Sequence, residues 1–488
     1  MREYPEENNL KNTFRAHPLM SVKLMKPFLF VLILPVIKGL IQYVLYRRIS
    51  GILSLEAVAF ALIVVLALLE CYFFTVTVEN DVITVKKGLF MRSVSVIKLS
   101  RLSSLTTTRN PADLIFGTVT CCINTEAGRR EKPDFECKLR ISDAARLLHG
   151  VYGDKGRTAI TFSPLKISAM AAATSSAFTG IIIGVPIINS IGKLLGIALS
   201  EMLLAEINTV SEELKTYFPP IVNALTLIFL ISYGFSFAVT FFKYLRFRLY
   251  AGKERIEVRS GVFVLRRAVF KKSSVNDVCI EQSPLMRLFK LYSMRASVAG
   301  YGNSKGEKAV IVPCGGEKEV NRHLALYFPR FADKNGAYVR AAQTRRMLNR
   351  FLWLPRFYGF VTVGISVAAA YFFSYFDRLI LFVCAVLFLI ILYYADLSRY
   401  NFKHGKILFG DRIYAQGSVG MTRRQFYCDK EKIGVIRLVR TPADRKHGTC
   451  KIDLITRSES ADRIRVRNID YRTARQKIEK CFGIARIK

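Results

Sequence analysis

Apolar runs alternate with basic, strand-like stretches along the whole chain. Six of the runs approach or reach the ~20 apolar residues a helix needs to cross a bilayer core, and they fall into three pairs. The first pair is Phe28 to Tyr46, interrupted by Pro35 and Lys38, and Ile52 to Phe74, with Arg47, Arg48 and Gly51 at the turn. The second is Ile167 to Ile191 and Ile221 to Phe242; the third is Phe351 to Ser374 and Leu379 to Ala395, turned at Asp377 and Arg378. The sixth run has only about 17 residues, the length of a short or partly interfacial span. Between the second pair, Leu195, Leu199, Leu203, Ile207, Val210, Leu214 and Phe218 recur at helical spacing. That stretch, about 193–218, fits an amphipathic helix on the outer face or an extension of the third span.

The polar stretches repeat one another. Lys87-Gly88-Leu89-Phe90 in the first corresponds to Ser260-Gly261-Val262-Phe263 in the second, and a Pro follows each Gly by 23 positions, at Pro111 and Pro284. In a more degenerate third copy Gly417 stands two residues farther from its Pro442. Each Gly is expected at a tight strand-to-strand turn, and each Pro in a polar dipeptide between strands. Closing helices are expected at Asp143 to Tyr152 after Ser142, Lys318 to Phe328, and Tyr471 to Phe482 after Asp470, with Ser142 and Asp470 as N-caps. Six or seven strands closed by one helix describe an α+β domain: a bent antiparallel sheet or partial barrel with a C-terminal helix.

The expected architecture is therefore an integral membrane protein of about six helices in hairpins, with three such domains. A polar N-terminal segment occupies 1–27, hairpins 28–74, 167–242 and 351–395, and domains 75–156, 243–341 and 396–488. No cleavable signal peptide is apparent in the first segment.

Composition adds to this picture. The chain is 51% hydrophobic yet carries a formal net charge of +36, so its cations must be segregated from its apolar runs. They concentrate in the long segments rather than at the hairpin tips, which places both termini and all three domains on the cytoplasmic side. Arg47 and Arg48, at the first tip, run against this bias. No nucleic-acid recognition motif accompanies the charge, so nucleic acid is not an expected partner.

The pattern of a strand, a Gly-Leu-Phe turn with trailing Arg, a polar-Pro dipeptide (Asn110-Pro111, Ser283-Pro284) and Phe116-Gly117-Thr118 resembles the bacterial pleckstrin-homology-like (PH-like) domains. Their placement after membrane hairpins resembles membrane-flanking proteins of the YdbT type. That resemblance implies no catalysis. It implies a role at the cell envelope, including tolerance of membrane-active antimicrobial peptides.

Candidate chemistry is sparse. Gly302-Asn303-Ser304-Lys305-Gly306 satisfies G-x-S-x-G but sits in a polar stretch between strands, where a hairpin loop is expected rather than a nucleophile elbow. Five scattered histidines and ten scattered cysteines, with no C-x-x-C pair, give no metal site and no disulfide framework. No cofactor is expected. Lys38, Glu56 and Glu70 lie in or near apolar runs, and Lys38 leaves open a small-solute transporter reading. The basic clusters flanking each first turn are the main candidates: Lys86, Lys87 and Arg92; Arg255, Arg259, Arg266, Arg267, Lys271 and Lys272; Arg423 and Arg424. Held beside a bilayer, they are placed to contact anionic headgroups, the rival reading being a solvated basic face. A second class of function is a scaffold whose strand edges or helix-covered groove bind a partner, such as a sister PH-like membrane protein.

Overall fold

The computed structural model describes residues 12–22, 25, 51–79, 81–89, 92–125, 133–152, 158–214, 220–299, 301, 307–332, 338–340, 345–372, 377–457 and 463–483. The run Phe28 to Tyr46 with Lys38, the turn at Arg47 and Arg48, and Gly302 to Gly306 lie outside these residues. The strands flanking the last, β13 and β14 below, do pair antiparallel.

The first repeat opens with β1 (Asn12–Arg15) and resumes after α1 (Gly51–Phe73) with β2 (Thr75–Glu79). Then follow β3 (Val82–Lys87), β4 (Ser93–Lys98), β5 (Leu102–Arg109), a one-turn helix α2 (Pro111–Ile115), β6 (Thr118–Thr125), β7 (Phe135–Arg140) and the closing helix α3 (Ile141–Tyr152). Asn110 and Pro111 act as more than a loop. Pro111 begins α2, and Asp113, fully buried at its N3 position, accepts hydrogen bonds from Asn110 N (3.2 Å), Thr118 Oγ1 (2.9 Å) and Lys138 Nζ (2.7 Å). Burial opposes ionisation of that carboxyl, but Lys138, with the hydrogen bonds, holds it below the ordinary carboxylate range.

The second repeat follows the same order. β8 (Thr158–Thr161) precedes the helices α4 (Pro164–Thr174), α5 (Ala177–Leu195), α6 (Leu199–Glu213) and α7 (Pro220–Tyr244). Then come β9 (Arg248–Ala251), β10 (Arg255–Ser260), β11 (Leu265–Lys271), β12 (Val275–Gln282), α8 (Pro284–Leu288), β13 (Leu291–Val298), β14 (Ala309–Gly316), α9 (Glu317–Tyr327) and α10 (Pro329–Ala332). The third begins at β15 (Val339–Arg340), passes through α11 (Arg345–Phe372) and α12 (Asp377–His404), and continues with β16 (Lys406–Leu408), β17 (Arg412–Val419) and β18 (Thr422–Asp429). It ends with β19 (Ile433–Val439), α13 (Pro442–Lys446), β20 (Thr449–Thr456), β21 (Arg463–Asp470) and α14 (Tyr471–Phe482), whose N-cap Asp470 accepts from Thr473 N as expected.

Two features depart from the sequence reading. The helical segment of each repeat is inserted between its first and second strands, since β1 pairs β2, β8 pairs β9 and β15 pairs β16. A strand from 1–27 thus belongs with 75–156, β8 falls before the expected hairpin 167–242, and β15 moves from 243–341 to the third domain. Secondly, the sheets are shared between repeats. One has the order β7-β6-β5-β11-β10-β9-β8 and the next β14-β13-β12-β18-β17-β16-β15, so the back half of each repeat joins the front half of its successor. The cores follow suit: Val269 packs into the first repeat's core, and Tyr414 and Tyr427 into the second's.

Smaller corrections have local causes. Gly88 and Gly261 hold φ of 103° at their turns, but Gly417 lies inside β17, and the third turn is made at Gly420 with φ 58°. Ser142 lies inside α3 rather than at its N-cap. The third apolar run is not one straight helix: α4 and α5 meet at 97°, the geometry of a broken span or a re-entrant loop. α4 buries Ile167 and Met170 in the second repeat's core, and Lys166 pairs with Glu319 at 2.6 Å. α6 is a separate helix, cut off from α5 by Gly196 at φ 67°, so it is not an extension of the third span. The sixth run, expected to be short, lies within the 28-residue α12. Among the described residues, three helical stretches are long and apolar enough to cross a membrane: Val222–Tyr244, Leu348–Ala369 and Val383–His404.

Candidate functional site: basic clefts at the ends of the helices

In each repeat the chain leaves its last apolar helix and enters the sheet at once. The first hairpin turn of the domain folds back beside that junction. In the first repeat this corner is a cleft of about 360 Å³ lined by Arg15, Tyr72, Phe73, Lys86, Lys87 and Arg92, among others. Arg15 lies 5.1 Å from the Tyr72 ring centroid and Arg92 5.9 Å from that of Phe73. Cations resting on aromatic rings at a helix end match a bilayer interface, where the rings are amphipathic and the headgroups charged.

The same corner of the second repeat is walled on one side by the first repeat. Its groove, about 420 Å³, is lined by six arginines, Arg109, Arg246, Arg248, Arg259, Arg266 and Arg267. Val119, Ile141, Ala144, Leu148 and Leu265 make the apolar part of the wall. Arg259 and Arg267 both donate to Glu257, at 2.5 and 2.6 Å. Burial disfavours the Glu257 carboxylate, yet these two guanidiniums hold it below the usual range. Arg259 also stacks on Tyr250 at 4.6 Å, and Arg266 shares Glu307 with Lys243.

Arg109 and Arg246 complete the groove. The Nε of Arg109 is buried and has no hydrogen-bond partner among the described residues, a state it shares with the Nε of Arg423 and of other arginines. Arg246 holds φ of 60° directly after α7, a left-handed position that Gly or Asn usually fills. A bulky residue there costs about 1–3 kcal/mol of backbone strain, of the sort found at ligand sites.

Of the residues singled out from sequence, Lys86, Lys87 and Arg92 line the first cleft and Arg259, Arg266 and Arg267 the second. The others are placed elsewhere. Arg255 and Lys271 face one another at the far end of β10 and β11, and Lys271 Nζ donates to the Leu99 and Ser100 carbonyls of the first repeat, each at 2.9 Å. Lys272 is half-buried beside Arg330, and both effects lower its pKa, burial the more. Arg423 stacks on Tyr400 and pairs with Asp396, which also takes Arg287, while Arg424 pairs with Glu281 at 3.1 Å. Where the second and third repeats meet, the cations are thus met by carboxylates.

Sequence reasoning missed Arg15, Arg109, Arg246 and Arg248. Arg246 and Arg248 alternate just after an apolar run, which was a visible signal. Arg109 and Arg15 join their clefts only through tertiary pairing. No group of three or more His, Cys, Asp or Glu among the described residues is placed to hold a metal ion.

Domains of antiparallel strands closed by a helix, on a chain with helices able to cross a bilayer and basic clefts at the helix ends, define a membrane-associated protein with PH-like domains. The family model described as Bacterial PH domain matches residues 29–155 and 201–326, more than half of the chain, and the chain belongs to that family. Neither the curated proteins nor the solved structures gave a match.

Proposed function

We propose that the chain is a multi-pass, non-enzymatic binding protein of the YdbT type, at the cytoplasmic face of a bacterial membrane. Six helices in three hairpins carry three PH-like domains, the first two of which engage anionic lipid headgroups through the clefts at their helix ends. The observation that carries this reading is the arginine groove beside the end of α7. It combines a buried unpartnered Arg109 Nε, a strained Arg246 and an apolar wall, which together suit a phosphate next to an acyl chain. Two clefts on one anchored chain raise avidity without either being strong. A contribution to envelope stress or antimicrobial-peptide tolerance follows from the family likeness and accords with a protein that holds anionic lipid.

The test uses the full chain, because the sheets are shared between repeats. Native mass spectrometry from an uncharged detergent, with phosphatidylglycerol or phosphatidylcholine added, should show selective retention of the anionic lipid. A cation near an anionic surface is worth about 1 kcal/mol, so Arg246→Gln with Arg248→Gln should weaken retention roughly 10- to 30-fold. Equal retention of both lipids, or no effect of the double substitution, would sink the reading.

A further inference from the structure

The three repeats are joined by one kind of contact used twice. β11 runs antiparallel to β5, and β18 to β12. Aligned on Pro111, Pro284 and Pro442, the two registers coincide: Phe270 faces Ser104 as Cys428 faces Asp277, and Val269 faces Leu105 as Tyr427 faces Val278. The match runs on to Arg266 facing Thr108, as Arg424 faces Glu281.

A row built this way ends in two unlike edges. β4 in the first repeat is the counterpart of β11 and β18, while β19 in the third is the counterpart of β5 and β12. Among the described residues neither β4 nor β19 has a strand on its outer side. Exposure tells the same story. β5 is buried except at Arg109 and β12 throughout, whereas β19 is buried only at Ile433 and β4 nowhere. Val94, Val96 and Val435 are 57%, 64% and 47% exposed, an unusual presentation for β-branched residues on edges. The irregularity at Ile433/Val435 does not block pairing, since it recurs at Leu102/Ser104 and Val275/Asp277 in strands that are paired.

We infer that the β19 edge of one chain pairs antiparallel with the β4 edge of a second copy of the chain, in the register of the internal junctions. Ile97 then faces Val435, Val96 faces Ile436, Val94 faces Leu438 and Ser95 faces Arg437. Three of these are apolar cross-strand pairs, the kind that stabilises an antiparallel ladder. The contact is heterologous, so it propagates head to tail and either closes into a ring or continues as a row. It depends on strand geometry alone and stands whether or not the clefts bind lipid.

The experiment reconstitutes two differently tagged full-length populations in one bilayer, one carrying Ser95→Cys and the other Arg437→Cys, and treats them with a short bis-maleimide. Both positions are exposed, so folding is not at stake. The expected product carries both tags, exceeds the background of the unsubstituted chain several-fold, and falls back to it when Val96→Asp is added to the first population. Absence of the mixed product overturns the inference, as does a Ser95→Cys self-product equal to it, which would signal a symmetric contact instead.

Discussion

Replacing Glu281 with Ala should cost about 3 kcal/mol, the low end for a buried ion pair, and loosen the seam between the second and third repeats before that between the first and second. Glu281 lies on β12, opposite Arg424 of β18, and is only 8% exposed. Its carboxylate meets Arg424 at 3.1 Å and Arg295 and Lys308 at 3.8 Å each. Removing it takes the shared carboxylate away from three part-buried cations, and a charge left underpaired in a poorly solvated seam costs more than the pair contributed. Because repeats share sheets, unfolding is not all-or-none, and local hydrogen exchange is the suitable readout. Amides of β12 and β18 should lose protection while those of β5 and β11 keep it. The same carboxyl gives a pH dependence. Burial opposes its ionisation, but Arg295, Arg424 and Lys308 hold its folded pKa below the ordinary value. A depressed folded pKa contributes stability that is full above the unfolded value, about 4.3, and is lost as pH falls through the folded one. Protection of the β12 and β18 amides, corrected for the intrinsic exchange rate, should therefore drop below about pH 4, and less steeply in Glu281→Gln.

The second large effect is expected in the helices. A Cβ on Gly180 would lie 1.7 Å from the Ser232 carbonyl oxygen of α7, a backbone atom that cannot turn aside. Gly184, one turn on, meets only the Phe235 ring, at 3.3 Å. Small residues let helix backbones approach inside a bilayer, and here the close approach is between α5 and α7 of one chain. Gly180→Val should push the two apart and break the Tyr233 hydroxyl's bond to the Ala172 carbonyl, 2.8 Å long. Overpacking costs about 1–3 kcal/mol where side chains can shift, and a backbone collision belongs at the top of that range or above it. The thermal aggregation midpoint in detergent should fall sharply for Gly180→Val and much less for Gly184→Ala.

Periodicity and turn chemistry carried much of the fold. Apolar runs marked helices, Gly88 and Gly261 marked turns that need positive φ, and Asp470 marked a helix start. What escaped was whatever depends on distant partners. β15 is two residues long and β8 four, too short for any alternation to show, and each pairs with a strand beyond a set of helices. Strand sharing between repeats leaves no local trace, because β5 and β12 look like ordinary buried strands until their neighbours are known. The second cleft was half legible for the same reason: Arg259, Arg266 and Arg267 flank one turn in sequence, whereas Arg109 arrives from another repeat. Counting cations could not separate Lys271, whose ammonium is used on the carbonyls of Leu99 and Ser100, from residues that face a cleft.

Clefts that hold headgroups must lie at headgroup depth, which a relaxation measurement reads. The full chain, reconstituted in bilayers containing a nickel-chelating headgroup lipid, would carry a spin label at exposed Ser93 in the first cleft or at exposed Arg472 on α14. Strong nickel-dependent relaxation at 93 and little at 472 is the expected result. Equal relaxation at the two positions, or none at 93, would contradict it.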